Sequence, residues 1–329
     1  MNLEQLARVP LADLPTPIDE LPRLSQELGG PRLLVKRDDQ TGLATGGNKT
    51  RKLEFLFADA LAHDADIVIT AGAAQSNHCR QTAAAAARVG LDCALVLGGE
   101  PPPTPTGNLL LDELLGAQIF WTGPQRRGEQ LEEIADQLRA AGRRPYLIPY
   151  GGSNAIGATG YAAAILELGE QLAADYPQGI DAIVFASSSG GTQAGLVVGA
   201  RALGFGGRII GIRIDKGEAG DEAYSVQLTR LANATAAHVG LDTDFSSDDF
   251  VVNQDYLGGG YGVVGDLERE AIRLVARLEG LVLDPVYTGR AMGGLIDMIR
   301  NDGFGPDETV LFWHTGGMPA LFAYVNALV

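Results

Sequence analysis

Short apolar segments alternate with helical segments along most of this 329-residue chain. Ile67–Thr70 and Ala182–Phe185 are typical, since each apolar run leads into small and polar residues and then into a helical pattern. Parallel strands need a crossover of this kind, and a continuous apolar run fits a strand that is covered on both faces. The alternation therefore predicts an α/β fold in which helices flank mostly parallel sheet.

The pattern also gives approximate positions for the individual elements. The expected strands are Leu33–Lys36, Ile67–Thr70, Ala94–Leu97, Ile119–Trp121, Tyr146–Pro149, Ala182–Phe185, Ile209–Ile214 and Val310–Trp313. The expected helices are Leu21–Leu28, one opened by Lys49, an alanine-rich helix ending before Gly90, Leu109–Leu115, Glu129–Ala140, Gly160–Ala174, Asp221–His238, Asp266–Glu279 and Arg290–Arg300.

Composition excludes several classes of protein. Hydrophobic residues make up 46% and charged residues 20%, as in globular proteins, and we expect neither a membrane span nor a signal peptide. Because 41 acidic residues outnumber 25 Lys and Arg, the net charge is −16, which argues against nucleic acid or an anionic membrane as partner. Cys79 and Cys93 suit neither a disulfide framework nor a metal site, so we expect no metal and a cytoplasmic location.

The segment Gly46–Glu54 carries the first candidate for chemistry. Two glycines end an extended stretch, Asn48 stands where it could cap the following helix, and Lys49 opens that helix. The positive end of a helix dipole disfavours a cation, so the amine of Lys49 would lose its proton more readily and could attack a carbonyl. A solvated first turn explains the same residues, since lysines are common there.

Two further loops lie between a strand and a helix. Ser187–Gly195 could cradle an anion with backbone N–H groups and hydroxyls, and a single phosphate suits it better than a nucleotide. A tight structural turn is an equal alternative. Gln75–His78 would lie at the carboxyl edge of a sheet, where ligands bind, although Ser76 and Asn77 could simply cap a helix.

Four motifs together resemble one enzyme family. The motifs, in chain order, are Gly46–Glu54, Gln75–His78, Asp284–Gly289 and His314–Gly317. Their combination is similar to the D-cysteine desulfhydrase and 1-aminocyclopropane-1-carboxylate deaminase family of pyridoxal-phosphate enzymes. The likeness runs from Leu14–Pro17 to Ala320–Tyr324. It implies two open, twisted, mostly parallel sheets flanked by helices, with the active site between a large domain (1–52 and 159–329) and a smaller inserted domain (53–158).

The resemblance also implies a role for each candidate residue. Lys49 would hold pyridoxal phosphate covalently, and the loop of Ser188, Ser189, Gly190, Gly191 and Thr192 would bind its phosphate. Asn77 would contact the phenolic oxygen of the cofactor, and Thr288 and Thr315 its ring. The expected catalytic residues are Lys49, Ser76, Tyr261 and Tyr287. The expected substrate contacts are Ser76, Asn77, His78, Tyr261, Tyr287 and Thr288.

The activity implied is elimination from a small amino acid by a homodimer. D-cysteine would give pyruvate, ammonia and hydrogen sulfide, while L-cysteate sulfo-lyase and cyclopropane deaminase are alternatives within the family. A module that binds cofactor or amino acid without turnover is a remote alternative. The deaminases carry Glu in place of Thr288 and typically Leu in place of Thr315. Two neutral hydroxyls therefore favour a substrate with a good leaving group, such as a thiolate or sulfite.

Overall fold

The computed structural model describes residues 1–217 and 222–329, and its strands form two sheets. The strands are β1 Ile18–Glu20, β2 Arg32–Arg37, β3 Ile67–Ala73, β4 Asp92–Gly98, β5 Gln118–Trp121, β6 Pro145–Leu147, β7 Ala182–Ser187, β8 Arg208–Arg213, β9 Val251–Asn253 and β10 Thr309–His314. Within the described residues, the larger sheet has the order β1-β2-β10-β7-β8-β9 and the smaller one the order β5-β4-β3-β6.

In the part of the chain that the structure describes, every strand pair is parallel except one. In the larger sheet only β1 runs antiparallel to its neighbour, with Ile18 opposite Lys36, while the smaller sheet is parallel throughout the described chain. The expected α/β fold with two mostly parallel sheets is confirmed. The sequence pattern missed β1 and β9, which are three-residue edge strands that are too short to show a period and are mostly not buried.

Alternate residues of the central strands enter different cores. In β7, Val184 packs into a core with helices on one face, whereas Ile183 and Phe185 pack into a second core on the opposite face. Val68 and Ile69 of β3 are divided in the same way. Successive side chains of a strand point to opposite faces, so helices cover both sides of each sheet, which explains the continuous apolar runs.

The helices follow the expected pattern, with shifted ends. They are α1 Pro22–Leu28, α2 Lys49–Ala62, α3 Asn77–Val89, α4 Gly107–Leu114, α5 Leu131–Ala140, α6 Ala155–Asp175, α7 Gly191–Leu203, α8 Tyr224–His238, α9 Asp266–Glu279, α10 Thr288–Arg300 and α11 Val325–Leu328. Helix α6 begins five residues before the expected Gly160, because the Asn154 side chain caps it by accepting from Gly157 N. The expected start of α8 at Asp221 lies outside the described residues. In the described chain, no helix is both long enough and apolar enough to cross a membrane.

The carboxyl ends of strands from both sheets meet around one space. The loops that follow β3, β7 and β10 all contribute to its lining, through Asn77, residues 187–190 and Thr315. Lys49, at the start of α2, lines the same space. Ligands bind at this edge in open α/β sheets, so the fold places the sequence motifs where a site is expected.

Candidate active site

Lys49 occupies the first position of α2, directly after a loop that packs tightly against neighbouring backbone. Gly46 and Gly47 have φ values of +70° and +129°, and the amide of Asn48 donates to Thr315 O at 3.1 Å. A Cβ placed on Gly316 would lie 2.7 Å from the Cα of Gly47, so glycine is required at this contact. Burial lowers the pKa of Lys49 to about 8, which leaves part of its amine unprotonated near neutral pH.

The expected capping role of Asn48 is wrong. Its side chain makes no cap bond to α2 and instead donates from Nδ2 to the hydroxyl of Thr192 at 3.2 Å. The amide of Thr50, which a cap could have satisfied, donates to Gln81 Oε1 at 2.8 Å. Asn48 therefore connects the start of α2 to the loop after β7, a long-range contact that local sequence could not indicate.

A second lysine amine lies beside the first. Lys52 is 1% exposed, and its Nζ donates to Gly151 O at 3.2 Å and to Ser153 Oγ at 3.4 Å. Burial and the charge of Lys49 lower its pKa well below the ordinary value. In the described chain no carboxylate pairs with Lys52, whereas the buried Lys36 bonds to Glu167 at 2.6 Å. A buried amine without an acid partner would regain its charge beside an anion, so it indicates a place for one.

The loop after β7 supplies the rest of that anion site. Gly190 has φ +90°, and α7 begins at Gly191, whose amide donates to Ser153 Oγ at 3.1 Å. A Cβ on Gly191 would lie 2.6 Å from Ser153 Oγ and 2.8 Å from Lys52 Nζ. A helix N-terminus, hydroxyls and a buried amine thus converge where a phosphate group fits.

Asn77 presents a hydrogen-bond donor to the site. Its Oδ1 accepts from Asn108 Nδ2 at 2.8 Å and from Arg80 Nη1 at 3.3 Å. These two contacts fix the orientation of the amide, so Nδ2 remains available in the space that Asn77 lines together with Lys49. The hydroxyl of Ser76 accepts from Cys79 N at 3.2 Å and caps α3, which confirms the capping interpretation for Ser76.

His78 is a neutral side chain with a defined tautomer. Thr70 donates its hydroxyl hydrogen to Ile148 O at 2.8 Å, so the same oxygen must accept from His78 Nε2 at 2.9 Å. Burial, together with the charges of Lys49 and Lys52, lowers the pKa of His78 well below its ordinary value. His78, Ser76 and Lys49 line a common cavity.

Two tyrosines form a pair at the other side of the site. The hydroxyls of Tyr261 and Tyr287 are 2.8 Å apart, and their rings meet edge to face. Burial raises the pKa of both well above the ordinary value, so both are neutral phenols. Tyr287 lines the space around Lys49, and Tyr261 reaches that space through its bond to Tyr287.

The two threonines differ in position. Thr315 lines the space around Lys49. The hydroxyl of Thr288 instead donates to Asp284 Oδ1 at 2.8 Å, and it accepts from Asp284 N at 2.7 Å. Asp284 also accepts from the amides of Val286, Tyr287 and Thr288, so it organises the start of α10. Thr288 is therefore a neighbour of the site whose hydroxyl is already bonded.

Sequence reasoning missed several residues of the site. Tyr150 lines the cavity that contains Lys49 and His78, and Arg126 contacts both Tyr150 and Tyr261. Lys52 was not recognised as part of the anion site. The available signal was the pair Gly151–Gly152, because adjacent glycines often mark a close approach: a Cβ on Gly151 would lie 3.6 Å from Lys49 Nζ.

These groups match the functional groups of pyridoxal phosphate. The amine of Lys49 suits an aldehyde, and the α7 N-terminus with Lys52 suits a phosphate dianion. Asn77 offers a donor for a phenolic oxygen, and Thr315 a neutral hydroxyl for a ring nitrogen. The residues present therefore fit this cofactor.

Comparisons with known proteins agree with this fit. The family model described as pyridoxal-phosphate dependent enzyme matches residues 9–316. The chain is 45% identical to a D-cysteine desulfhydrase of Klebsiella pneumoniae (strain 342) over 336 aligned positions, covering 98% of this chain and 99% of that protein. Among solved structures, an ACC deaminase homologue is 40% identical over 99% of this chain and 96% of its own, with a TM-score of 0.89.

More distant structures share the fold alone. A pyridoxal 5'-phosphate-dependent aspartate racemase is 18% identical over 92% of this chain and 90% of its own, with a TM-score of 0.64. An L-serine ammonia-lyase from Rhizomucor miehei is 17% identical over 95% of each chain, with a TM-score of 0.62.

Proposed function

The chain belongs to the family of pyridoxal-phosphate-dependent enzymes, and we propose that it is a carbon–sulfur lyase acting on D-cysteine. The reaction consumes one water and yields pyruvate, ammonia and hydrogen sulfide. The observation that carries the proposal is the nearly full-length similarity to a D-cysteine desulfhydrase, combined with a buried, partly unprotonated lysine amine beside an anion site.

The cofactor would be held at four points by this chain. Lys49 would bind its aldehyde carbon, and the amides of residues 188–192 with the amine of Lys52 would bind its phosphate. Asn77 Nδ2 would donate to its phenolic oxygen, and Thr315 would face its ring. When bound, pyridoxal phosphate supplies an electron sink for the pair released at the substrate Cα.

The remaining groups bind the substrate and move its proton. The free amides at the start of α3, with the hydroxyl of Ser76, would bind the substrate carboxylate. The amine of Lys49, with a pKa of about 8, would take the proton from Cα near neutral pH. Neutral Tyr261 and Tyr287 would donate hydrogen bonds that orient the substrate, and His78 would remain neutral beside them.

Two sister activities remain as alternatives. L-cysteate would leave sulfite by the same elimination, and a cyclopropane amino acid would need ring opening without a good leaving group. A carboxylate near the ring nitrogen would favour its protonated form and a stronger electron sink. Here Thr315 lines the space, and the hydroxyl of Thr288 is bonded to Asp284. Neutral partners favour a substrate whose leaving group is already good.

Side-by-side assays test this assignment. Purified enzyme loaded with pyridoxal phosphate should form pyruvate from D-cysteine faster than from L-cysteate, and faster than 2-oxobutyrate from 1-aminocyclopropane-1-carboxylate. The visible spectrum should change on adding D-cysteine and recover after turnover, which a binding module would not show. Faster turnover of the cyclopropane would refute the argument from the threonines.

We further propose that the protein is a homodimer. Exposed apolar side chains gather where α4 meets the 3-10 turn Met318–Ala323: Leu110, Leu114, Met318, Phe322 and Val325. Leu114 is 73% exposed and Phe322 64% exposed, and an apolar patch of this kind favours a protein interface. The cytoplasmic location expected from the sequence stays a prediction.

The dimer can be tested by mutation of this patch. Leu114→Glu combined with Phe322→Glu should convert the dimer to monomer in size-exclusion chromatography with light scattering. Leu61→Glu, at an exposed apolar residue of α2 that is 42% exposed, is the matched control and should stay dimeric. A double variant that remains dimeric would place the interface elsewhere.

A further inference from the structure

Tyr150 lies between the candidate active site and the outside. It begins the 3-10 turn Tyr150–Gly152 that follows β6, directly before the glycine whose Cβ position is 3.6 Å from Lys49 Nζ. With Ser188 and Ser189, it lines both the cavity around Lys49 and a larger outer cavity of about 740 Å³. A group that leaves the substrate through the outer cavity therefore passes Tyr150.

Arg126 fixes the hydroxyl of Tyr150. Its Nη1 donates to the Tyr150 hydroxyl at 3.2 Å, and its Nη2 forms an ion pair with Asp215 at 2.8 Å. Its guanidinium carbon also lies 4.2 Å from the ring centre of Tyr261. A guanidinium has donors only, so the oxygen of Tyr150 must accept from it and the hydroxyl hydrogen points elsewhere.

That hydrogen has no protein acceptor among residues 1–217 and 222–329, where the Tyr150 hydroxyl bonds only to Arg126. Burial raises the pKa of Tyr150 although the charge of Arg126 lowers it, so the phenol keeps its hydrogen at neutral pH. The hydroxyl hydrogen is therefore free to point into the cavity that Tyr150 shares with Lys49, Ser76 and Tyr287. Tyr150 is thus a neutral hydrogen-bond donor whose oxygen is held by the Arg126 cation.

We propose that Tyr150 is a further catalytic residue that donates a hydrogen bond to the departing sulfur, and that Arg126 is its positioning residue. The inference rests on the proposed function. The other donors already have roles in the proposed function, since the α3 N-terminus binds the carboxylate and Lys49 takes the proton of Cα. The pair of Tyr261 and Tyr287 orients the substrate. When the Cβ–S bond breaks, its electron pair leaves with sulfur as hydrosulfide, and the hydroxyl of Tyr150 stabilises the new charge.

Tyr150→Phe tests the donor with two leaving groups. With D-cysteine, kcat should fall roughly 100-fold, as for loss of one preorganised donor to a developing anion. With β-chloro-D-alanine the fall should be less than about 3-fold, because chloride needs little help from a donor. D-alanine has no leaving group, and its affinity, measured by titration of the visible cofactor band, should remain unchanged.

Matched variants separate a specific effect from a structural one. Tyr146→Phe removes a hydroxyl, bonded to Asp59 at 2.6 Å, from the same stretch of chain, and it should keep wild-type kinetics with both substrates. Arg126→Gln should reproduce the selective loss with D-cysteine, and Arg126→Lys should restore part of it. If the Tyr150 variant loses its cofactor, the kinetics of Arg126→Gln with the two substrates still test the proposal.

The outcomes discriminate between the two proposals. Equal losses with D-cysteine and β-chloro-D-alanine, unchanged kinetics with both, or weaker D-alanine binding in the Tyr150 variant would overturn the role at the leaving group. Failure of the wild-type enzyme to turn over D-cysteine would instead overturn the proposed function, and it would be seen before any variant is made.

Discussion

Two lysine amines that have no acid partner among the described residues define the chemistry at the scale of single residues. Lys49 and Lys52 are one helical turn apart and both are buried, and each has a lowered pKa because burial disfavours its charge. For Lys52 the charge of Lys49 adds to the effect. Lys49, with a pKa of about 8, is partly unprotonated near neutral pH and is therefore suited to attack a carbonyl. Lys52 donates to Gly151 O and Ser153 Oγ, and an anion bound beside it would favour its charged form.

The pH dependence of pyridoxal phosphate attachment should report the pKa of Lys49. Pyridoxal phosphate added to the apoenzyme should attach with a rate that rises with pH, is half-maximal near pH 8 and levels off above, because only the unprotonated amine reacts. A lysine with the ordinary pKa of 10.5 would still gain reactivity up to that pH. Stopped-flow absorbance gives the rate, and borohydride reduction followed by peptide mass analysis gives the site. A label on Lys36 or Lys52 would contradict the assignment.

The Asp284 carboxylate is a second feature at residue scale, and it orients Tyr287 and Thr288 together. It accepts from three backbone amides and one hydroxyl, all of them buried or partly buried. Asp284→Ala should lower the free energy of unfolding by roughly 3 kcal/mol, because several buried donors lose their acceptor at once. Denaturant unfolding measures the loss. A change below about 0.5 kcal/mol, as for an ordinary surface site, would show that water replaces the carboxylate.

At the scale of elements, the N-terminus of α7 is the feature that binds the phosphate in our proposal. A side chain at Gly191 would enter the space between Ser153 and Lys52, at 2.6 and 2.8 Å from the Cβ position. Gly191→Leu should therefore weaken pyridoxal phosphate binding at least about tenfold, the equivalent of one lost contact of 1.4 kcal/mol. Equilibrium dialysis measures the affinity.

Gly206→Leu is the matched control for this prediction. A Cβ on Gly206 meets no atom within 4 Å, so the control should fold and bind cofactor like the wild type. If Gly191→Leu folds and retains full affinity, the phosphate lies elsewhere.

The sequence predicts best those elements whose type and ends follow from their own residue pattern. Helix α9 has its expected ends, Asp266 and Glu279, because its apolar stripe is regular and Gly280 ends it in a left-handed conformation. Strand β7 is buried along its whole length, so its apolar run was sufficient. Tyr150, Arg126 and Lys52 could not be predicted in the same way, since their roles depend on contacts between distant parts of the chain.

At the scale of the whole molecule, a buried ion cluster connects three segments below the site. Arg51 of α2 bonds to Asp38 after β2 and to Glu167 of α6, with all four contacts at 2.9 Å. Burial alone would raise the pKa of both carboxyls, but Arg51 holds them below their usual range. Their contribution to stability is therefore present at neutral pH and is lost as the pH falls through these lowered values.

Removing the Arg51 guanidinium should reverse the direction of these two pKa shifts. Arg51→Met should cost roughly 3–5 kcal/mol at neutral pH, because the buried Asp38 carboxylate loses its charged partner and Glu167 keeps only Lys36. Their pKa values should then rise, so acid unfolding, followed by circular dichroism, should begin at a higher pH than in the wild type. Arg32→Met, which breaks an exposed pair with Glu20, is the control and should change neither quantity appreciably. Equal acid midpoints in the Arg51 variant and the wild type would contradict the argument.

The space lined by loops from both sheets has a consequence for the lifetime of the protein. A molecule bound there touches Asn77, which follows the smaller sheet, and residues 187–190, which follow the larger one, so its binding energy also holds the sheets together. By mass action, a ligand at one hundred times its dissociation constant adds about 2.7 kcal/mol to the free energy of unfolding. The supply of pyridoxal phosphate would then govern how often the chain unfolds and so how quickly proteases remove it, independently of any substrate it meets.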